Sequence, residues 1–107
     1  MDLRTIDLVP DGEVLRIWLN RPEARNAHNQ QMVQEVGDLF TALNAQSEFR
    51  IAVLGGKGKS FCAGADRKEK LPKPVNDLEA RYLGQLGRRA ARAIEDCDVV
   101  TVARVHG

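Results

Sequence analysis

The chain reads as an α/β fold, and three observations lead there. Short apolar runs rich in β-formers alternate with longer stretches whose apolar residues recur at steps of three and four. One short run, Ile51-Ala52-Val53-Leu54, is apolar throughout and follows a helical stripe. A strand buried on both faces of a parallel sheet has that composition. That run then empties through Gly55-Gly56 into the small-residue loop Lys57-Gly58-Lys59-Ser60-Phe61-Cys62-Ala63-Gly64-Ala65-Asp66.

Taken in order, Thr5 to Val9 is a first strand and Pro10-Asp11-Gly12 a turn. Val14 to Leu19 is a second strand, so the two form a hairpin. Asn29 is placed to cap a helix of about four turns. Its stripe is Met32, Val33, Val36, Leu39, Phe40 and Leu43. Asn44 to Phe49 is a polar exit into the strand Ile51–Leu54. After the loop, Arg67-Lys68-Glu69 reads as a helix start, with Asp66 as cap and Glu69 reaching back to it. Leu71 to Asn76 holds two prolines and is not the interior of an element. Leu78, Tyr82, Leu83, Leu86, Ala90, Ala93, Ile94 and Cys97 space as a second helix, weakened by Gly84 and Gly87. Arg81, Arg88, Arg89 and Arg92 form its solvated face. Val99 to Val105 is the last strand, followed by His106-Gly107.

Composition excludes several classes of function. With 107 residues the chain suits one small domain. Its 16 basic and 15 acidic residues leave a net charge of +1, unlike a nucleic-acid binder. No apolar run approaches a membrane span. Met1-Asp2-Leu3-Arg4 lacks the apolar core of a signal peptide. Cys62 and Cys97 make no disulfide framework, which fits a reducing, cytoplasmic setting. Cys62 has no histidine or acid partner in the sequence and reads as a small buried thiol.

The loop from Lys57 to Asp66 is the place to look for chemistry. Small residues let backbone N–H groups face an electron-rich ligand, and a helix start behind them would add a positive dipole end. Gly58-Lys59-Ser60 has the tail of a phosphate-binding P-loop. That motif needs a glycine at position 53, which is valine, and Gly55 and Gly56 sit too close to Gly58 to wrap a phosphate. Two readings stay open: an oxyanion-binding segment, and a purely structural glycine turn. His106 and His28 are each a lone histidine without a visible partner, and both read as structural.

Ser60-Phe61-Cys62-Ala63-Gly64-Ala65-Asp66 resembles the first oxyanion-hole segment of the enoyl-CoA hydratase/isomerase (crotonase) family. Asn20-Arg21-Pro22-Glu23-Ala24-Arg25-Asn26-Ala27 is similar to a motif that the family carries just after its second strand. Val99 to Gly107 is similar to the family's strand leading into a second glycine loop, with Arg104 and His106 in place of a small residue and an asparagine. The resemblance covers nearly the whole chain and about the first half of a typical member.

That resemblance implies a crotonase-like spiral of ββα units, here its N-terminal portion, residues 1–107, ending before the second glycine loop. It implies an enzyme acting on acyl-CoA thioesters, most simply an enoyl-CoA hydratase, that stabilises an enolate-like thioester oxygen with two backbone N–H groups. The first donor would be Ala65. Ala24, Arg25 and Ala27 would contact coenzyme A, and Ala63, Gly64 and Asp66 would line the path of adenine and pantetheine. Arg67 would stand at the acyl end, where an aliphatic residue is usual. The second donor and the acid/base carboxylates would follow Gly107. Neither a metal nor a separate cofactor is implied, because coenzyme A arrives as part of the substrate. Full-length members assemble as trimers or hexamers. A non-catalytic acyl-CoA-binding protein, or another reaction of the family, would share every motif in these residues.

Overall fold

The computed structural model describes residues 2–46 and 48–107. A hairpin of β1 (Ile6–Asp11) and β2 (Val14–Leu19) leads through a 3-10 turn at Pro22–Ala24 to α1 (Gln30–Gln46). Then come β3 (Ile51–Gly56), α2 (Asp77–Glu95) and β4 (Val100–Ala103). The strands form one sheet in the order β1-β2-β3-β4. β1 and β2 are antiparallel, while β2/β3 and β3/β4 are parallel. The expected α/β class holds, including the parallel placement of β3.

Alternation sets the hairpin. Leu15, Ile17 and Leu19 are buried and their neighbours are half-buried. The apolar stripe of α1 meets them: Met32, Val36, Leu39, Phe40 and Leu43 share one core with Ile6, Leu15, Ile17, Leu19 and Ala52. Each large side chain buried this way contributes about 1.5–3 kcal/mol before entropy is counted. Asn29 caps α1 as expected, its Oδ1 accepting the Met32 N–H at 2.9 Å. Glu35 is the charged member of α1's inner face. Its Oε1 accepts from Arg4 N, Thr5 N and Thr5 Oγ1, each at 2.9 Å, and so ties the start of the chain to the helix.

α2 packs against α1. Its N-cap is Asn76, whose side chain accepts from Glu79 N. A Cβ on Gly37 would lie 3.4 Å from the Ala90 backbone, so the helices approach where both residues are small. Arg89 bridges to Asp38 at 3.1 Å, and the other three arginines of the basic face stand in solvent. Of the expected α2 stripe, Leu86 and Ala90 are buried, whereas Leu78 and Tyr82 at its start are exposed.

Several expected boundaries move. β1 runs on through Pro10 and Asp11, and the turn falls at Gly12-Glu13, with Gly12 at φ +61°. Proline is tolerated there because β1 is an edge strand. β3 includes Gly55 and Gly56 rather than breaking before them. The polar exit at 44–49 is shortened, since α1 continues to Gln46; Ser47 within it lies outside the described residues. β4 stops at Ala103.

The largest correction concerns Arg67-Lys68-Glu69, which forms a turn and no helix. The residues expected to cap it are engaged elsewhere. Asp66 Oδ1 accepts the Lys68 N–H at 2.9 Å, closing an Asx-type turn, and its other oxygen meets Arg21. Glu69 reaches instead to the start of α1, where Oε1 accepts the Gln30 N–H at 3.0 Å. Among the described residues no helix follows the loop before α2 at Asp77.

Candidate functional site

The segment after β2 and the loop after β3 meet at one end of the sheet, because β2 and β3 are parallel neighbours and both leave it on the same side. At the junction the chain turns sharply. Arg25 and Asn26 both take left-handed backbone, at φ +52° and +56°. Two consecutive non-glycine residues in that region are uncommon and have to be held there.

Hydrogen bonds supply the hold. Ala63 N donates to Arg25 O at 3.0 Å, His28 N to Gly64 O at 2.9 Å, and Asp66 N to His28 O at 3.1 Å. His28 and Ala65 thereby form an isolated parallel bridge. Arg21 spans the same two segments. Its guanidinium donates to Ala27 O and, at 3.0 Å, to Asp66 Oδ2, with both side chains largely shielded from solvent. The Lys68 N–H first, and then Arg21, hold the Asp66 carboxyl below its usual value.

Asn26 is fully buried. Its Oδ1 accepts the Arg21 N–H at 2.7 Å, and its Nδ2 donates to Lys57 O at 2.8 Å and Ser60 O at 2.9 Å. Between those carbonyls Gly58 turns at φ +86°, with the Pro22 ring so near that a Cβ would come within 2.9 Å of it. From the far side the Phe61 N–H donates to His106 O, and His106 Nε2 lies 3.0 Å from Gly58 O. His106 is therefore a brace for the loop.

Among the described residues the arrangement leaves several loop N–H groups unbonded, those of Cys62, Gly64 and Ala65 among them. Among the described residues the Ala65 N–H makes no hydrogen bond, although the residues on both sides of it are bonded, and Ala65 is exposed. A fixed, accessible N–H can stabilise negative charge without reorganising.

The structure gathers Arg25, Ala27, Ala63, Gly64, Ala65 and Asp66 into this ladder, with Ala24 one turn away in the 3-10 turn. Arg25 projects into solvent. Arg67 stands apart, exposed in the turn, with no ion pair among the described residues. Cys62 packs half-buried against the core. Asn26 is the residue that reading the motifs left without a role; its only sequence signal was its place in the Asn20–Ala27 motif. No group of three or more His, Cys, Asp or Glu side chains among the described residues could hold a metal ion, and no helix among them is long and apolar enough to cross a membrane.

Comparison with known proteins gives a consistent result. Residues 11–107 match the model of the enoyl-CoA hydratase/isomerase family. The chain is 35% identical, over 108 residues, to a short-chain-enoyl-CoA hydratase of Clostridium acetobutylicum, covering 100% of this chain and 41% of that protein. It is 35% identical to a mouse mitochondrial Delta(3,5)-Delta(2,4)-dienoyl-CoA isomerase, over 88% of this chain and 32% of that one. A crystal structure of an enoyl-CoA hydratase from Mycobacterium smegmatis superposes with a TM-score of 0.84 at 32% identity, covering 98% of this chain and 41% of the other. The chain thus spans less than half the length of the relatives it matches.

Proposed function

The chain belongs to the enoyl-CoA hydratase/isomerase family, and on that premise we propose that it supplies the coenzyme-A-facing part and the first oxyanion donor of an acyl-CoA-processing site. The donor is the Ala65 N–H, and its lack of a partner among the described residues, between a bonded Gly64 O and a bonded Asp66 N, is the observation that carries the reading. When a nucleophile or base acts on an α,β-unsaturated thioester, charge moves onto the thioester oxygen. A preorganised N–H binds that charge more tightly than it binds the neutral carbonyl, which lowers the barrier.

The reaction we assign is hydration of an enoyl-CoA, the activity in the name of the Clostridium relative, a short-chain-enoyl-CoA hydratase. Arg25, exposed beside the ladder, suits a coenzyme A phosphate, with Ala24 and Ala27 alongside. Ala63, Gly64 and Asp66 offer backbone to pantetheine and adenine. Asp66 takes part through its main chain, because Arg21 and Lys68 occupy its carboxylate. Arg67 borders the acyl end. In this reading residues 1–107 are the first portion of one domain of a cytoplasmic, trimeric or hexameric enzyme. The second donor and the acid/base carboxylates come from residues beyond these.

The test is crotonyl-CoA hydration by the full-length protein with the amide at Ala65 replaced by an ester. Loss of the donor should cut turnover about 10²–10³-fold, whereas Ala65→Gly, which keeps the N–H, should cost far less. Equal behaviour of the two would make Ala65 scaffolding. Tight acyl-CoA binding with no turnover in the unmodified protein would instead favour a non-catalytic binding role.

A further inference from the structure

We propose that Asn26 is a positioning residue that sets the direction of the Ala65 N–H by clamping the Gly58 turn at the start of the donor loop. The proposal rests on the acyl-CoA reading for its catalytic consequence, and on geometry alone for the clamp itself.

Asn26 has one side-chain acceptor and two side-chain donors, and all three are used without solvent. The two donors grip Lys57 O and Ser60 O, three residues apart across the Gly58 turn. The acceptor grips the Arg21 N–H, so the loop is fastened to the same residue whose guanidinium holds Asp66. The backbone on either side of Asn26 completes the hold: Arg25 O fixes Ala63, and His28 fixes Gly64 and Asp66. One buried side chain therefore sits at the pivot between the start of the loop and the stretch that carries the donor.

Few residues meet these demands together. The left-handed backbone favours Asn, Asp or Gly. Asp would turn a carboxylate toward two carbonyl oxygens and lose both donors. Gly would keep the backbone and lose all three bonds. Displacing a catalytic group by about 1 Å can cost about 10²-fold in rate.

In the full-length protein, Asn26→Asp and Asn26→Gly should each lower kcat for crotonyl-CoA by about 10–10²-fold, with KM changed less than about threefold. A control, Leu43→Ala, removes core packing away from the loop and should keep kcat even at a melting temperature as low as either variant's. Amide hydrogen exchange reads the clamp without any substrate. In both Asn26 variants the Ala63 and Asp66 amides should lose at least about tenfold in protection relative to amides in the middle of α1, because opening of the loop no longer breaks the clamp. Wild-type kcat in folded Asn26→Asp, or unchanged protection at Ala63 and Asp66 in both variants, overturns the proposal. If the wild type turns over no acyl-CoA yet the exchange changes appear, the functional reading fails and the clamp stands.

Discussion

Arg21 and Asp66 are 45 residues apart in sequence and 3.0 Å apart in space. Their contact makes a pH-dependent prediction at the scale of single residues. The Asp66 carboxyl is held below the ordinary 3.8, first by the Lys68 N–H and then by Arg21. A carboxyl lowered in the folded state stabilises above its unfolded pKa and loses that contribution as pH falls through its folded one. Asp66→Asn should therefore melt below wild type at neutral pH, and the gap should narrow as the pH falls below 3.8 and through the lowered pKa of the folded state. A gap of equal size at both ends would mean that the ion pair contributes nothing. Motif reading named Asp66 and Ala65 as candidate site residues but missed what holds them. Asn26, Arg21 and Glu69 act on partners 31 to 45 residues away, and no local pattern encodes such a pairing.

At the scale of elements, the parts written as local periodicity were legible. The alternation of β2 and the stripe of α1 fall where the spacing puts them. The misses share a cause: a residue with a local preference was claimed by a distant neighbour. Gly55 and Gly56 look like a break, yet they continue β3 because other groups need their space. A Cβ on Gly55 would meet the Trp18 ring at 2.9 Å, and one on Gly56 would meet Phe61 O at 2.5 Å and Phe61 Cα at 2.8 Å. Since the second obstacle is backbone, Gly56→Ala should push the loop off β3. We expect a loss of about 1–3 kcal/mol in chemical denaturation, together with a fall in any acyl-CoA turnover larger than that loss explains. Unaltered stability would show that the loop yields cheaply. The absent helix after Asp66 has the same origin, its would-be capping groups being drawn to Arg21 and to α1.

At the scale of the whole molecule, the sheet has two edges, and β4 is one of them. Val100 and Val102 are exposed there and Val105 just beyond it, and Leu78 and Tyr82 are uncovered on α2. An apolar strand with an open edge invites pairing with another chain. Residues 1–107 prepared alone should therefore associate with rising concentration in sedimentation velocity, and Val102→Lys should reduce it. Sharp monomeric sedimentation at all concentrations would rule out a sticky edge. Fold class and family were legible because they reside in the order of elements and in two compact motifs. The apolar edge at β4 was legible too, whereas the uncovered start of α2 was not, because Leu78 and Tyr82 continue the stripe that holds the buried Leu86 and Ala90.

The two left-handed residues at Arg25 and Asn26 also bear on the order of assembly. Local bonds shape that bend, with Arg25 N donating to Pro22 O and Asn26 N to Arg21 O, but its distant partners arrive only when the chain has laid down α1 and β3 and brought Lys57 and Ser60 back beside β2. Contacts closed over such separations are made after the local ones, since the entropy of the intervening loop is lost before the bonds can form. A nascent or partly collapsed chain can thus own its helices and its hairpin while Ala65 still points nowhere in particular. The fixed direction of the Ala65 N–H is a property of the finished fold, acquired last and surrendered first.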